Sequence, residues 1–150
     1  MSMPAFQFAL PARVVFGRGE AAKAPEEILA LGRTGVLVHG ADAGRAEWLA
    51  RALRAGGARL HMLACGAEPT LPMLQAALDG LRDSGAEWVV ALGGGAVLDM
   101  GKALAGLIPA PGGIMDHLEV VGLGLPLKVA PLPFVALPTT AGTGAEATRN

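Results

Sequence analysis

The chain has 150 residues, of which 52% are hydrophobic and 17% charged, and its formal net charge is −1. That is one domain's worth of chain with ample material for a core, which excludes a disordered segment. Basic and acidic residues interleave without a basic stripe, which argues against nucleic acid as the main partner, and no run reaches the roughly 18 apolar residues of a bilayer span, so no membrane partner is expected.

The opening MSMPAFQFALPARVVFG lacks the basic start and long apolar core of a signal peptide, so a cytoplasmic location is expected. Residues 13–16 read as a short strand, and a helix is expected to start at Pro25, with Gly32 as its stop. Residues 35–39 form a second, buried strand. Residues 45–55 form an amphipathic helix, with Ala46, Leu49, Ala50 and Leu53 on one face and Arg45, Glu47, Arg51 and Arg54 on the other. Gly56 and Gly57 end it. Residues 59–64 are a third strand, leading to Cys65, the single cysteine. No disulfide can form within the chain, and Cys65 reads as a packing residue, since only His61 lies near it as a base. Thr70 has the character of an N-cap for a helix through Leu81, with Pro72 in its first turn. Residues 87–92 are a fourth strand and residues 97–108 the next helix. A Pro- and Gly-rich excursion over 109–133 holds a short helix around 115–121, and residues 134–137 are a fifth strand. Strands alternating with helices at this pitch imply an α/β fold: a Rossmann-like, mainly parallel sheet with helices on both faces and right-handed crossovers.

Three glycine turns compete for a ligand. Gly17-Arg18-Gly19-Glu20-Ala21-Ala22 is a loose G-x-G-x-x-A with Asp42 some twenty residues on, but Pro25 interrupts the helix that should follow at once. Gly142-Thr143-Gly144-Ala145-Glu146-Ala147 is a second loose match, distinguished by the hydroxyls of Thr139, Thr140, Thr143 and Thr148. The third, Gly93, Gly94 and Gly95, directly follows a buried strand and opens a helix. One glycine in such a place needs no ligand to explain it, whereas three in a row leave bare backbone beside the positive end of a helix. Glycine lets such a turn take positive φ and lets a ligand approach the main chain, and these three are expected to hold a phosphate or pyrophosphate. Asp99, read as lying in the first turn of that helix, is within reach of ribose hydroxyls, while Lys102 is as well explained by pairing with Asp99. His39, His61 and His117 lack helical metal-pair spacing and read as structural.

At these residues the chain resembles a known family. GGGAVLDMGKALA is similar to the GGGS-x-x-D-x-x-K segment of the iron-containing alcohol dehydrogenases, and LPTTAGTGAEAT resembles their PTTAGTGSE-V-T segment. FGRG at residues 16–19 and AEPT at residues 67–70 match in the same order and spacing. Ala96 and Ala145 stand where the family has serines, and Glu68 where many members have Asn. The resemblance implies an N-terminal dinucleotide-binding domain over residues 1–150, with Gly94, Gly95, Asp99, Thr139, Thr140, Thr143 and Thr148 at cofactor positions. Gly40 occupies the place of an Asp that holds the adenosine ribose in many members, so the cofactor is left as NAD or NADP. The implied activity is hydride transfer between nicotinamide and a small alcohol or aldehyde, by a homodimer whose Fe²⁺ or Zn²⁺ ligands, one Asp and three His, follow later in the family's longer chains. No catalytic residue is assigned within these residues. Two alternatives stay open: a nucleotide-binding module without catalysis of its own, and another reaction of the superfamily, as in maleylacetate reductases or dehydroquinate synthases.

Overall fold

The computed structural model describes residues 13–148. Apolar runs of the sequence become the strands β1 (Thr34–His39), β2 (Arg59–Ala64), β3 (Trp88–Gly93) and β4 (Phe134–Pro138). All neighbours pair in parallel, in the order β2-β1-β3-β4. β3 is buried along its whole length and β1 from Gly35 on, which is why both read as continuous apolar runs rather than alternating ones. At the sheet's edges, β2 and β4 are only half-buried.

Successive strand residues point to opposite faces and meet different helices. Leu37, Trp88 and Val90 pack under α1 (Ala24–Leu29) and α2 (Glu47–Ala55), against Ile28, Leu49 and Leu53. Val36, Val38, Val89 and Ala91 face the other way, beneath α3 (Leu71–Leu81), α4 (Gly95–Leu107) and the short α5 (Ile114–His117). From β1 to β2 the chain moves outward under α2. It then reverses across β1 to β3 and β4, and the covering helices change face with the reversal, as right-handed crossovers require.

Local chemistry sets the ends of these helices. Pro25 stands in the first turn of α1, and Thr70 Oγ1 accepts the Met73 amide at 3.4 Å to cap α3. Asp42 caps a 3₁₀ turn, Ala43–Ala46, by accepting the Gly44 amide at 2.9 Å. The helix expected over 45–55 therefore opens as 3₁₀ and turns α-helical only at Glu47. Trp88 is fully buried, donates its indole N–H to the Gly32 carbonyl at 3.1 Å and lies across Gly35, its partner in the β1–β3 register.

Three expectations need correction. Residues 13–16 are not a strand: Val14, Val15 and Phe16 are exposed, and Arg13 is turned to an ion pair with Glu27 at 2.7 Å. A Val-Val pair favours extended backbone, but without a partner ladder that preference makes no sheet. Four strands, not five, are thus found among the described residues. The helix expected over 115–121 stops at His117, because Leu118 is already extended. Among the described residues no helix is long and apolar enough to cross a membrane.

Candidate functional site

The strand order reverses between β1 and β3, so the turns leaving their carboxyl ends diverge and open a crevice. A cleft of about 380 Å³ lies there, within the ordinary size range of a small-molecule site. Three turns far apart in sequence wall it. Gly40, Ala41, Asp42, Arg45 and Ala46 follow β1, Leu92, Gly93 and Gly94 end β3, and Thr139 and Thr140 follow β4. The Thr139 amide donates to the Gly93 carbonyl at 2.9 Å, tying the threonine turn to the glycine turn.

The three glycines differ in role. None has a positive φ, so the left-handed backbone that glycine permits is not used in this turn. Gly94 is the N-cap of α4, at φ −81° and ψ −173°, a conformation open to any residue. Only at Gly93 does packing exclude a side chain. A Cβ on Gly93 would come within 2.6 Å of Val97 Cγ2, so this glycine is fixed by packing under the helix. A Cβ on Gly94 would meet only Thr140, at 3.5 Å, and one on Gly95 only Thr143 and Ala145, at 3.7 Å and beyond. Those contacts are ordinary, so nothing in the protein's own packing demands glycine at either place. No side chain caps α4. Its first helical hydrogen bond runs from the Leu98 amide to Gly94 O at 3.1 Å. The amides of Gly95, Ala96 and Val97 precede it, at the positive end of the helix.

The threonines separate into two groups. Thr139 and Thr140 line the cleft with Gly40, Gly93 and Gly94, and Thr143 stands beside Gly95. Thr148 is held away: Lys102 Nζ donates to its hydroxyl at 2.8 Å and to its carbonyl at 3.2 Å. The same ammonium pairs with Asp99 Oδ1 at 2.8 Å, with only 16% of the Lys102 side chain exposed. Because α4 starts at Gly95, two residues earlier than expected, Asp99 lies beyond the first turn and its carboxylate answers Lys102. The Asp99–Lys102–Thr148 chain pins the threonine loop to α4.

The remaining candidates fall outside the cleft. Among the described residues no strand leads into the Gly17 turn, which continues as a 3₁₀ helix, Glu20–Lys23, and supplies none of the cleft's walls. Burial pushes the Cys65 thiol up, and the carboxylates of Glu68 and Asp99 add to the rise, so it stays a protonated packing group donating to Ala67 O at 3.3 Å. A hollow of about 420 Å³ between β2 and α3 is slightly larger than the cleft, but apart from His61 its lining is apolar or glycine, with no bare helix start. Among the described residues no three His, Cys, Asp or Glu side chains come together as a metal site requires. Sequence reasoning missed Arg45, which it placed on the solvent face of a helix. The signal available was position: Arg45 follows the last residue of β1 by only six places, and turns after strand ends supply the walls of such clefts.

Known proteins share this architecture. The family described as "Iron-containing alcohol dehydrogenase" matches residues 11–150. A probable alcohol dehydrogenase of Escherichia coli is 37% identical over 108 residues, covering 71% of this chain and 26% of that protein. The crystal structure of the NADH-dependent butanol dehydrogenase A of Thermotoga maritima superposes with a TM-score of 0.81 at 28% identity, covering 97% of this chain and 37% of that one. The sulfoacetaldehyde reductase of Bifidobacterium kashiwanohense, solved in complex with NAD⁺, gives a TM-score of 0.76 at 30% identity, covering 97% of this chain and 39% of that one. The chain thus spans between about a quarter and two fifths of these relatives' length. With the glycine turn, the threonine turn and the parallel sheet between them all accounted for by that match, the chain belongs to the iron-containing alcohol dehydrogenase family.

Proposed function

We propose that these residues form the dinucleotide-binding portion of an oxidoreductase that moves hydride between a nicotinamide cofactor and a small alcohol or aldehyde. The observation that carries this reading is the pair Gly94 and Gly95, bare of side chains where the fold does not need them to be, beside the uncapped start of α4. In this reading the amides of Gly95, Ala96 and Val97 hold the pyrophosphate, helped by the helix dipole. Thr139 and Thr140 offer hydroxyls from the opposite wall. Gly40 leaves room for the adenosine ribose, since a Cβ there would meet nothing within 4 Å. The NAD⁺ complex of the Bifidobacterium relative supports the assignment.

The bound cofactor supplies the hydride chemistry, and the chain's part is to bind and orient it. The iron in the family's description finds no ligand set among the described residues, so no step is assigned to a metal. A cytoplasmic setting belongs to the same proposal, supported by a single cysteine that is buried rather than bridged.

Gly94→Val tests the reading. Valine fits the backbone at this position but projects its methyls into the cleft. The variant is expected to keep the parent circular dichroism and a cooperative melt, lowered only by the poorer N-cap, while losing NAD(P)⁺ binding by calorimetry, with affinity falling at least about 100-fold, a step of roughly 3 kcal/mol. Parent-like affinity in the folded variant would overturn the pyrophosphate assignment.

A further inference from the structure

The β1 side of the cleft carries two opposite charges and an open space where a side chain could stand. A carboxylate on the residue leaving β1 is the usual acceptor for the adenosine ribose 2′- and 3′-hydroxyls, and an arginine nearby is the usual partner of a 2′-phosphate. Here the residue leaving β1 is Gly40, and no atom lies within 4 Å of the place its Cβ would take. The nearest carboxylate on this turn, Asp42, is bent back over its own 3₁₀ turn, where Oδ1 accepts the Gly44 amide at 2.9 Å. Its other oxygen lies 4.0 Å from Arg45 Nε, at the outer limit of an ion pair, with the two side chains 72% and 80% exposed. Arg45 is therefore on the cleft wall and only loosely held by Asp42.

We infer that Arg45 binds the 2′-phosphate of the adenosine ribose and makes NADP⁺ the preferred cofactor. The inference rests on the dinucleotide reading above and adds to it the identity of the cofactor. It runs against the Thermotoga and Bifidobacterium relatives, whose names carry NADH and NAD⁺. The physical basis is subtraction as much as addition. With glycine leaving the strand, a phosphate meets neither a carboxylate nor bulk at that point. Arg45 then offers a planar fork of donors to an anion of about two charges. Asp42 opposes a phosphate by like charge, yet its bond to the Gly44 amide directs one oxygen into the turn and away from the ribose.

Calorimetric titration of NADP⁺ and NAD⁺ into the purified protein tests this without relying on turnover. The parent is expected to bind NADP⁺ at least about tenfold more tightly, the worth of one charge-assisted contact. Arg45→Ala should remove that advantage while leaving NAD⁺ affinity within about twofold, and Arg45→Lys should retain part of it. Asp42→Asn, which keeps the oxygen that caps the 3₁₀ turn, should leave NADP⁺ binding equal or tighter. A parent that prefers NAD⁺, or an Arg45→Ala variant that weakens both cofactors equally, overturns the role of Arg45 while the pyrophosphate site stands. Absence of binding by either cofactor to the folded parent overturns both readings together.

Discussion

Gly93 and Gly94 are neighbours with different reasons to be glycine. The first lies under Val97, whose β-branched side chain cannot swing aside, while the second faces the cleft. Gly93→Ala is accordingly expected to destabilise the fold by about 1–3 kcal/mol through overpacking, whereas Gly94→Ala should cost no more than about 1 kcal/mol, the advantage of glycine over alanine at an N-cap. Denaturant midpoints of the two variants measure the contrast, and equal losses would show that the distinction drawn from packing is wrong. At this scale the sequence disclosed the bare turn but not the reason for each residue. GGG after an apolar strand marks such a turn, yet only three-dimensional neighbours separate a glycine packed under a helix from one that faces an open cleft. Arg45 was hidden for a related reason. Helical periodicity assigns it to the outside, and the outside of that turn is the wall of the cleft.

Among the elements, two packing devices yield predictions. Gly35 gives way to the Trp88 ring across the β1–β3 pair, so a Cβ there would overlap the indole. Gly35→Val should cost at least about 1–3 kcal/mol by the overpacking rule, read from chemical denaturation followed by tryptophan fluorescence. An unchanged midpoint would mean that the ring is free to move. The second device is His117, which ends α5 with its ring between two carbonyls: Nδ1 at 3.0 Å from Leu125 O and Nε2 at 3.1 Å from Pro111 O. Only the imidazolium can donate to both at once. These backbone bonds raise the His117 pKa above its ordinary value of 6.5, with a small further rise from Asp116 opposed by burial and Arg82. A raised folded-state pKa gives stability that is fully present below the unfolded value of 6.5 and lost as pH climbs through the higher folded one. The melting temperature of the parent should therefore exceed that of His117→Asn most at mildly acidic pH, and the gap should narrow above neutrality. A gap independent of pH would show that the neutral ring closes this loop equally well. Strand and helix positions were largely legible because apolar runs and capping residues are local signals. The false strand at residues 13–16 and the overlong helix after Ile114 have different causes. The first had local preference without a partner strand, whereas beyond His117 the backbone leaves the helix, with Leu118 extended against the core and Val120 at φ 67°.

Across the whole molecule, the order β2-β1-β3-β4 makes the two central strands the best protected. Amides of β1 and β3 are expected to exchange with solvent only at global unfolding, and those of β2 and β4 faster, through local opening at the edges. Native-state hydrogen exchange decides this, and slower exchange in β4 than in β3 would contradict the edge assignment. The parallel class could be read from alternating strands and helices, but the order of strands could not, since any right-handed arrangement satisfies that pattern. Strand order is nevertheless what assembles the cleft, from turns that begin at Gly40, Leu92 and Thr139. During synthesis the ribosome delivers the first of these turns almost a hundred residues before the last. A growing chain thus holds a finished glycine turn well before Thr139 and Thr140 emerge to close the opposite wall. On the dinucleotide reading proposed above, a cofactor can be held from both walls only once β4 has docked, and its binding would then favour chains in which these four strands are assembled over those in which they are not.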